Sequence, residues 1–187
     1  MWKAFLMGWN GCTFFLDTTV TPSPDLELYT DASGSIGFGG YFRGQWFQGR
    51  WPPHMQLHRE WGISIGWQEL FPIVVAYAFW FPHFAGKQVQ FWCDNEFVVV
   101  IINSGHSKAP RIMDLLRYLV LISTKHNFFV PVRHVPGVCN ETADAVSRFQ
   151  DACFRAVAIN AEQTPCTIPP SLMTLLGMEF KRIHTGA

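Results

Sequence analysis

Four of the 14 acidic residues lie in or directly after predicted strands and helices. They are Asp31 after a strand, Glu69 at a helix start, Asp94 after another strand, and Asp144 in a late helix. A carboxylate beside an apolar strand costs folding free energy unless it is hydrogen-bonded or bound to a cation. Each acid taken alone is explained as well by a cap, a turn or a salt bridge, so the combination carries the argument.

The order of the acids predicts a shared site. In an open sheet the carboxyl ends of adjacent parallel strands meet at one edge, so Asp31 and Asp94 come side by side if their strands are neighbours. Clustered carboxylates repel one another, and their oxygens suit Mg²⁺ or Mn²⁺. Two such ions, about 4 Å apart, activate a water and stabilise the leaving oxygen of a phosphodiester.

Turn residues and a two-residue period predict the strands around Asp31. The stretch Leu26–Gly40, LELYTDASGSIGFGG, alternates apolar and polar residues and turns at Gly34-Ser35. A second strand is expected over about Ile36–Arg43 and a third over Gln45–Trp51, which together make an antiparallel meander.

Helices and two further strands are expected after the meander. Because Pro72 lacks an amide hydrogen, the helix reaching Phe81 is expected to begin near Gln68, with Glu69 in its first turn. The later elements are a strand at Val89–Cys93, a helix at Phe97–Ile102 ended by Gly105, a helix opened by Pro110, an edge strand at Phe128–His134 containing Pro131, and a helix at Asn140–Phe149. The Phe97–Ile102 run also suits a strand by propensity. The predicted class is α/β, with a five-stranded mixed sheet, three antiparallel strands and then two parallel ones, flanked by helices.

Composition excludes several classes of protein. The chain has 187 residues, 49% hydrophobic and 16% aromatic, which suits one core with short appendages and argues against disorder. Its five cysteines are odd in number and lack a C-x-x-C pair, which predicts free thiols in an intracellular, cytoplasmic or nuclear compartment. No apolar run reaches the ~20 residues of a membrane span, so no membrane partner is expected.

Short motifs surround the acids: YTDAS, WQEL, FWCDN and HVPGVCNETADAVSR. Together they resemble the type 1 ribonuclease H domain of retroelement reverse transcriptases. The last motif is the most specific, because His134 precedes Asp144 by ten residues, as in retroviral and retrotransposon enzymes. The stretches INSGHSKAPRIMDLLRYLVLI and ADAVSRFQ are most similar to DIRS-like, tyrosine-recombinase-encoding retrotransposons.

The resemblance implies a ribonuclease H-like fold and an enzyme that hydrolyses the RNA strand of RNA–DNA hybrids with two Mg²⁺ or Mn²⁺ ions. Specificity would then rest on 2′-hydroxyl contacts and helix shape. The four acids match the family's metal ligands, and His134 matches a mobile histidine near the scissile phosphate. Candidate substrate contacts flank Asp31 and Asp94: Ser33, Gly34, Asn95 and Glu96.

The resemblance also divides the chain into three parts. Residues 25–150 match the ribonuclease H domain, residues 1–24 resemble the end of the preceding polymerase or connection region, and residues 151–187 form a C-terminal extension. The 14 basic residues are balanced by 14 acidic ones, and the connection Ser104–Ala109 is too short to hold the basic protrusion of cellular family members. We therefore expect the upstream reverse transcriptase domain to help bind the hybrid.

Three other readings stay open. An integrase or transposase core would carry its third acid, usually glutamate, on a late helix and would lack Glu69. A proofreading-type exonuclease would have an acid where this chain has Ser33. A catalytically weak or domesticated domain that only binds nucleic acid or a polymerase would typically have lost one or more acids, and all four are present.

Overall fold

Most strands come early along the chain and most helices late in this computed structural model, which describes residues 6–7, 20–56, 64–136, 140–170 and 172–173. The strands are β1 (Val20–Pro22), β2 (Leu28–Ala32), β3 (Gly37–Phe42), β4 (Gln45–Arg50), β5 (Gln88–Cys93) and β6 (Val132–His134). The helices are α1 (Ile65–Trp80), α2 (Glu96–Ser104), α3 (Pro110–His126), α4 (Glu141–Ser147) and α5 (Asp151–Val157). Short helical turns lie at Ser23–Leu26, Pro53–Gln56 and Phe81–His83. Most of residues 1–24, the part that resembles the end of a preceding domain, lies outside the described residues.

The strands form two sheets of three strands, which corrects the expectation of one five-stranded sheet. Strands β2, β3 and β4 make an antiparallel meander sheet, and β1, β5 and β6 make a parallel sheet with β5 in the centre. The parallel partner of the first half of β5 is β1, and a 3-10 turn separates β1 from β2. Pro22 and Pro24 offer no amide hydrogen there, and Glu27 has a φ of 52°, so the chain turns before β2 begins.

Alternate residues of the meander sheet pack against different hydrophobic clusters. Leu28, Phe38 and Phe47 belong to the main core with α1 and α3, whereas Tyr41 and Trp46 pack with α4 and α5. Because successive side chains of a strand point to opposite faces, the sheet is covered on both sides. The predicted two-faced meander is therefore confirmed.

Helix α1 begins earlier than its proline predicts. The Ser64 side chain accepts a hydrogen bond from the Trp67 amide, so the helix starts at Ile65 and Pro72 lies well inside it. The prediction that Glu69 lies in the first turn is thus wrong by about one turn. An interior proline costs about 3 kcal/mol. Burial of the side chains from Leu70 to Tyr77, at about 1.5–3 kcal/mol for each large one, offsets that cost.

Other local predictions are confirmed. The stretch around Phe97–Ile102 is helical and ends at Gly105, whose φ of 64° is left-handed, and Pro110 opens α3. The last strand lies at an edge of the parallel sheet, as predicted. It begins only at Val132, however, so the prediction that it starts at Phe128 and contains Pro131 is wrong. Among the described helices, none has the length and apolar character needed to cross a membrane.

Residues after α5 cover the free edge of β4. The Cys166 amide donates to the Trp46 carbonyl at 2.7 Å, and the Trp46 indole donates to the Glu162 carbonyl at 2.8 Å. The Arg155 guanidinium donates to three successive carbonyls, those of residues 161–163. This segment therefore occupies a strand edge that would otherwise present unpaired backbone groups.

Candidate metal centre

Three of the four predicted acids come together. Asp31 lies in β2, Glu69 in the second turn of α1, and Asp94 directly after β5. One carboxylate oxygen of each lies within 4.8 Å of the others, which makes an acidic triad that can hold a metal ion. Asp31 is only 9% exposed, whereas Asp94 is open to solvent. The site is therefore buried at Asp31 and accessible to solvent at Asp94.

Hydrogen bonds across the core hold the turn after Asp31 against α1. The Gln68 side-chain amide donates to the Gly34 carbonyl at 3.0 Å, and the Trp51 indole donates to the Ser33 carbonyl at 2.6 Å. Glu69 follows Gln68 directly and accepts a backbone hydrogen bond from Ala32. The hydrogen bond between Gln68 and Gly34 thus joins the segments that carry Glu69 and Asp31, which restricts the position of one acid relative to the other.

The triad is electrostatically strained without a cation. Burial, together with the charges of Asp31 and Asp94, raises the pKa of Glu69 from 4.5 to about 9. Burial is also the main cause that raises the pKa of Asp31, although a hydrogen bond from Ser147 acts in the opposite direction. A divalent cation would let all three carboxylates ionise at neutral pH. Three hard oxygen ligands suit Mg²⁺ or Mn²⁺, so the residues present fit the predicted metal.

The nearby thiol of Cys93 is neutral in the metal-free protein and is not a member of the triad. Burial, with a smaller effect from the neighbouring carboxylates, raises its pKa to about 12. The Cys93 sulfur instead accepts a hydrogen bond from the Asn95 amide at 3.4 Å. The ligand set that remains is made of carboxylates alone.

Asp144 stands beside the triad and is not part of it. Its Oδ1 accepts a hydrogen bond from Arg148 Nε at 2.6 Å, and the two side chains are 46% and 43% exposed. The charge of Asp144 still helps to raise the pKa of Asp31, so the carboxylates are electrostatically coupled. Four acids were predicted to converge, but only three do so among the described residues. The fourth, Asp144, pairs with an arginine one helical turn away.

Close packing brings α4 to the meander sheet. A side chain at Gly39 would overlap Val146, so glycine at this position lets the helix approach β3. The Asn140 side-chain Nδ2 donates to the Thr30 carbonyl at 2.9 Å, and the Ser147 hydroxyl donates to Asp31 Oδ2 at 2.5 Å. Sequence analysis missed Ser147 as a site residue. Its spacing of three residues from Asp144, which places both on one helix face, is the signal that could have found it.

The remaining predicted site residues lie around the triad in different environments. His134 is exposed at the end of β6 and pairs in register with Cys93, the residue before Asp94. Asn95 caps α2, because its Oδ1 accepts a hydrogen bond from the Val98 amide at 3.2 Å, and Glu96 is exposed in the first turn. Ser33 is only 5% exposed, which leaves its side chain little surface for a substrate.

Comparison with known proteins adds no relative. Neither a scan against protein-family models nor a search of curated proteins gives a match for this chain. The fold and the site together define a mixed α/β protein with two three-stranded sheets and an acidic triad that can hold a metal ion.

Proposed function

We propose that this protein is a metal-dependent phosphodiester hydrolase. The observation that carries the proposal is the convergence of Asp31, Glu69 and Asp94, because one carboxylate oxygen of each lies within 4.8 Å of the others. Such a set is costly to fold without a cation, and its hard oxygen ligands match the ions used in phosphoryl chemistry. The open side at Asp94 offers access for a large substrate.

More particularly, we propose a type 1 ribonuclease H of a DIRS-like retroelement, with a ribonuclease H-like fold, that cleaves the RNA strand of RNA–DNA hybrids during reverse transcription. The order of the acids along the chain supports this proposal: strand end, helix, strand end and late helix. The position of His134, at the strand end next to β5 and ten residues before Asp144, supports it too. Cleavage would leave a 5′-phosphate and a 3′-hydroxyl.

Each residue has a defined task in this proposal. The triad would hold the divalent ions, and Asp144 would complete the ligand set once its carboxylate leaves Arg148. When bound, two Mg²⁺ or Mn²⁺ ions supply an activated water and stabilise the leaving oxygen. The exposed imidazole of His134 would take part in proton transfer or product release. Asn95 and Glu96, next to Asp94 on the open side, would contact the RNA strand.

Hybrid binding would be shared with another domain. The 14 basic residues are matched by 14 acidic ones, and phosphate neutralisation supplies much of the affinity for nucleic acid. We propose that the upstream reverse transcriptase domain provides the remaining contacts.

One observation favours a second function, that of a catalytically weak or domesticated module that binds nucleic acid or a polymerase. The ion pair between Asp144 and Arg148 leaves only three acids in the cluster. An active enzyme would need this pair to open, whereas a binding module would not.

A cleavage assay separates the two functions. A labelled RNA–DNA hybrid is incubated with the chain and Mg²⁺ or Mn²⁺, beside duplex DNA and duplex RNA. We expect the hybrid alone to be cut, and Asp94→Asn to abolish cutting while leaving hybrid binding intact. Asp114→Asn is the matched control, because Asp114 is paired with Arg117 on α3 and is not a member of the triad. Binding without cleavage would favour the module, and cleavage by Asp94→Asn near the wild-type rate would refute the metal site.

A further inference from the structure

The side chain of Ser147 forms a buried hydrogen bond with the least exposed acid of the triad. Its hydroxyl oxygen lies 2.5 Å from Asp31 Oδ2, and Ser147 is fully buried. The same oxygen lies 3.0 Å from the Asp144 backbone carbonyl, one turn earlier in α4. Ser147 thus stands between the helix that carries Asp144 and the strand that carries Asp31.

The distances indicate which acceptor takes the single hydroxyl hydrogen. Hydrogen bonds from a hydroxyl to a carboxylate are about 2.5–2.7 Å long and roughly twice as strong as neutral ones. The contact with Asp31 falls in this range, and the contact with the carbonyl is longer. One oxygen of Asp31 is therefore held by α4, which restricts rotation of the carboxylate and leaves the other oxygen without this bond.

We propose that Ser147 is a positioning residue for the metal ligand Asp31, and that it couples the docking of α4 to the affinity of the centre for divalent cations. The inference rests on the proposed metal-dependent function and extends it to a residue outside the ligand set. Groups that orient a metal ligand commonly change metal affinity by 10–100-fold when they are removed. The close contact of Val146 with β3 at Gly39 keeps this part of α4 against the sheet.

Binding of Mn²⁺ alone to the complete chain, measured by calorimetric titration, tests the proposal. We expect Ser147→Ala to weaken Mn²⁺ binding by about tenfold or more. Ser147→Cys keeps a side chain of similar length but is a weak donor, so it should show a similar loss. Ser147→Thr retains the hydroxyl, so its Mn²⁺ affinity should stay within about threefold of the wild-type value. This is a smaller loss than the tenfold expected when the orienting group is removed.

Ser123→Ala is the matched control. The Ser123 hydroxyl also donates to a carbonyl three residues earlier in a helix, at 3.0 Å from the Val120 oxygen, but it does not contact the triad. A purely structural role of the Ser147 hydroxyl would lower the melting temperature of Ser147→Ala and leave its Mn²⁺ affinity unchanged. We expect Ser123→Ala to bind Mn²⁺ as the wild type does.

The outcomes separate this inference from the proposed function. Unchanged or tighter Mn²⁺ binding by folded Ser147→Ala or Ser147→Cys would overturn the role of Ser147, as would an equal loss in a folded Ser147→Thr. Wild-type chain that binds Mn²⁺ but does not cleave the hybrid would refute the ribonuclease function and leave the role of Ser147 standing. Wild-type chain that binds no Mn²⁺ would overturn both.

Discussion

Replacement of Glu69 by glutamine should stabilise the metal-free protein at neutral pH. The carboxyl of Glu69 is pushed toward its neutral form by burial and by the charges of Asp31 and Asp94. Glutamine has nearly the same shape, carries no charge, and can still accept the backbone hydrogen bond from Ala32 through its amide oxygen. Its amide hydrogens can also face the neighbouring carboxylates. The change therefore leaves no cavity and makes folding independent of the proton that Glu69 must take up at neutral pH.

The size of the effect follows from the shift in pKa. The folded-state pKa of Glu69 is about 9 and its ordinary value is 4.5, so the folded state binds more protons than the unfolded state between these values. The free energy of unfolding must therefore fall as pH rises through this window. At about pH 7.5, roughly three units above the ordinary pKa, the loss amounts to about 4 kcal/mol at 1.4 kcal/mol per unit. Against a typical total of roughly 5–15 kcal/mol this is large.

Urea unfolding in chelator, followed by tryptophan fluorescence, measures the effect. We expect Glu69→Gln to match the wild type near its ordinary pKa of 4.5 and to exceed it by up to about 4 kcal/mol at about pH 7.5. Glu141→Gln is the control, because Glu141 is exposed in the first turn of α4, and it should not change the pH dependence. Excess Mn²⁺ should stabilise the wild type more than Glu69→Gln. A Glu69→Gln variant less stable than the wild type at neutral pH in chelator would refute the reasoning.

Three further predictions concern residues around the centre. His134→Ala should lower kcat for the hybrid much more than it weakens hybrid binding, because the imidazole is exposed and outside the triad. A fall in kcat matched by an equal fall in hybrid affinity would assign His134 a binding role instead. Arg148→Gln should free Asp144 and so lower the Mn²⁺ concentration needed for half-maximal cleavage, while the free energy of unfolding falls by about 1 kcal/mol or less. Arg117→Gln, which breaks the ion pair with Asp114, is the control. A higher Mn²⁺ requirement in Arg148→Gln would contradict the prediction. A chain cut after Gln150 should be several kcal/mol less stable than the full chain in urea unfolding, since Phe154 is 1% exposed and residues 161–166 cover β4. Equal stability of the cut and the full chain would show that residues 151–187 are dispensable for the fold.

Local chemistry allowed much of the fold to be predicted from the sequence. The alternation around Tyr29 and Asp31 predicted a sheet with two faces, and Pro110 and Gly105 marked helix boundaries that the structure confirms. The positions of Asp31 and Asp94 near strand ends were also predictable, and the two carboxylates do converge. Their strands, however, are not the neighbouring parallel pair that the prediction assumed, because β2 and β5 belong to different sheets. These features depend on residues a few positions apart, whose conformational preferences act within one element.

Only the tertiary structure decided how the elements meet. The division into two sheets depends on where the chain turns between Pro22 and Glu27, and α1 begins at Ile65 because burial outweighs the cost of Pro72. The bond between Ser147 and Asp31 joins residues 116 positions apart. Such contacts depend on packing between distant segments, which local propensity does not encode. The same holds for the fourth acid: the pattern predicted where Asp144 lies on its helix, but only the folded arrangement decides whether that carboxylate faces the triad or an arginine.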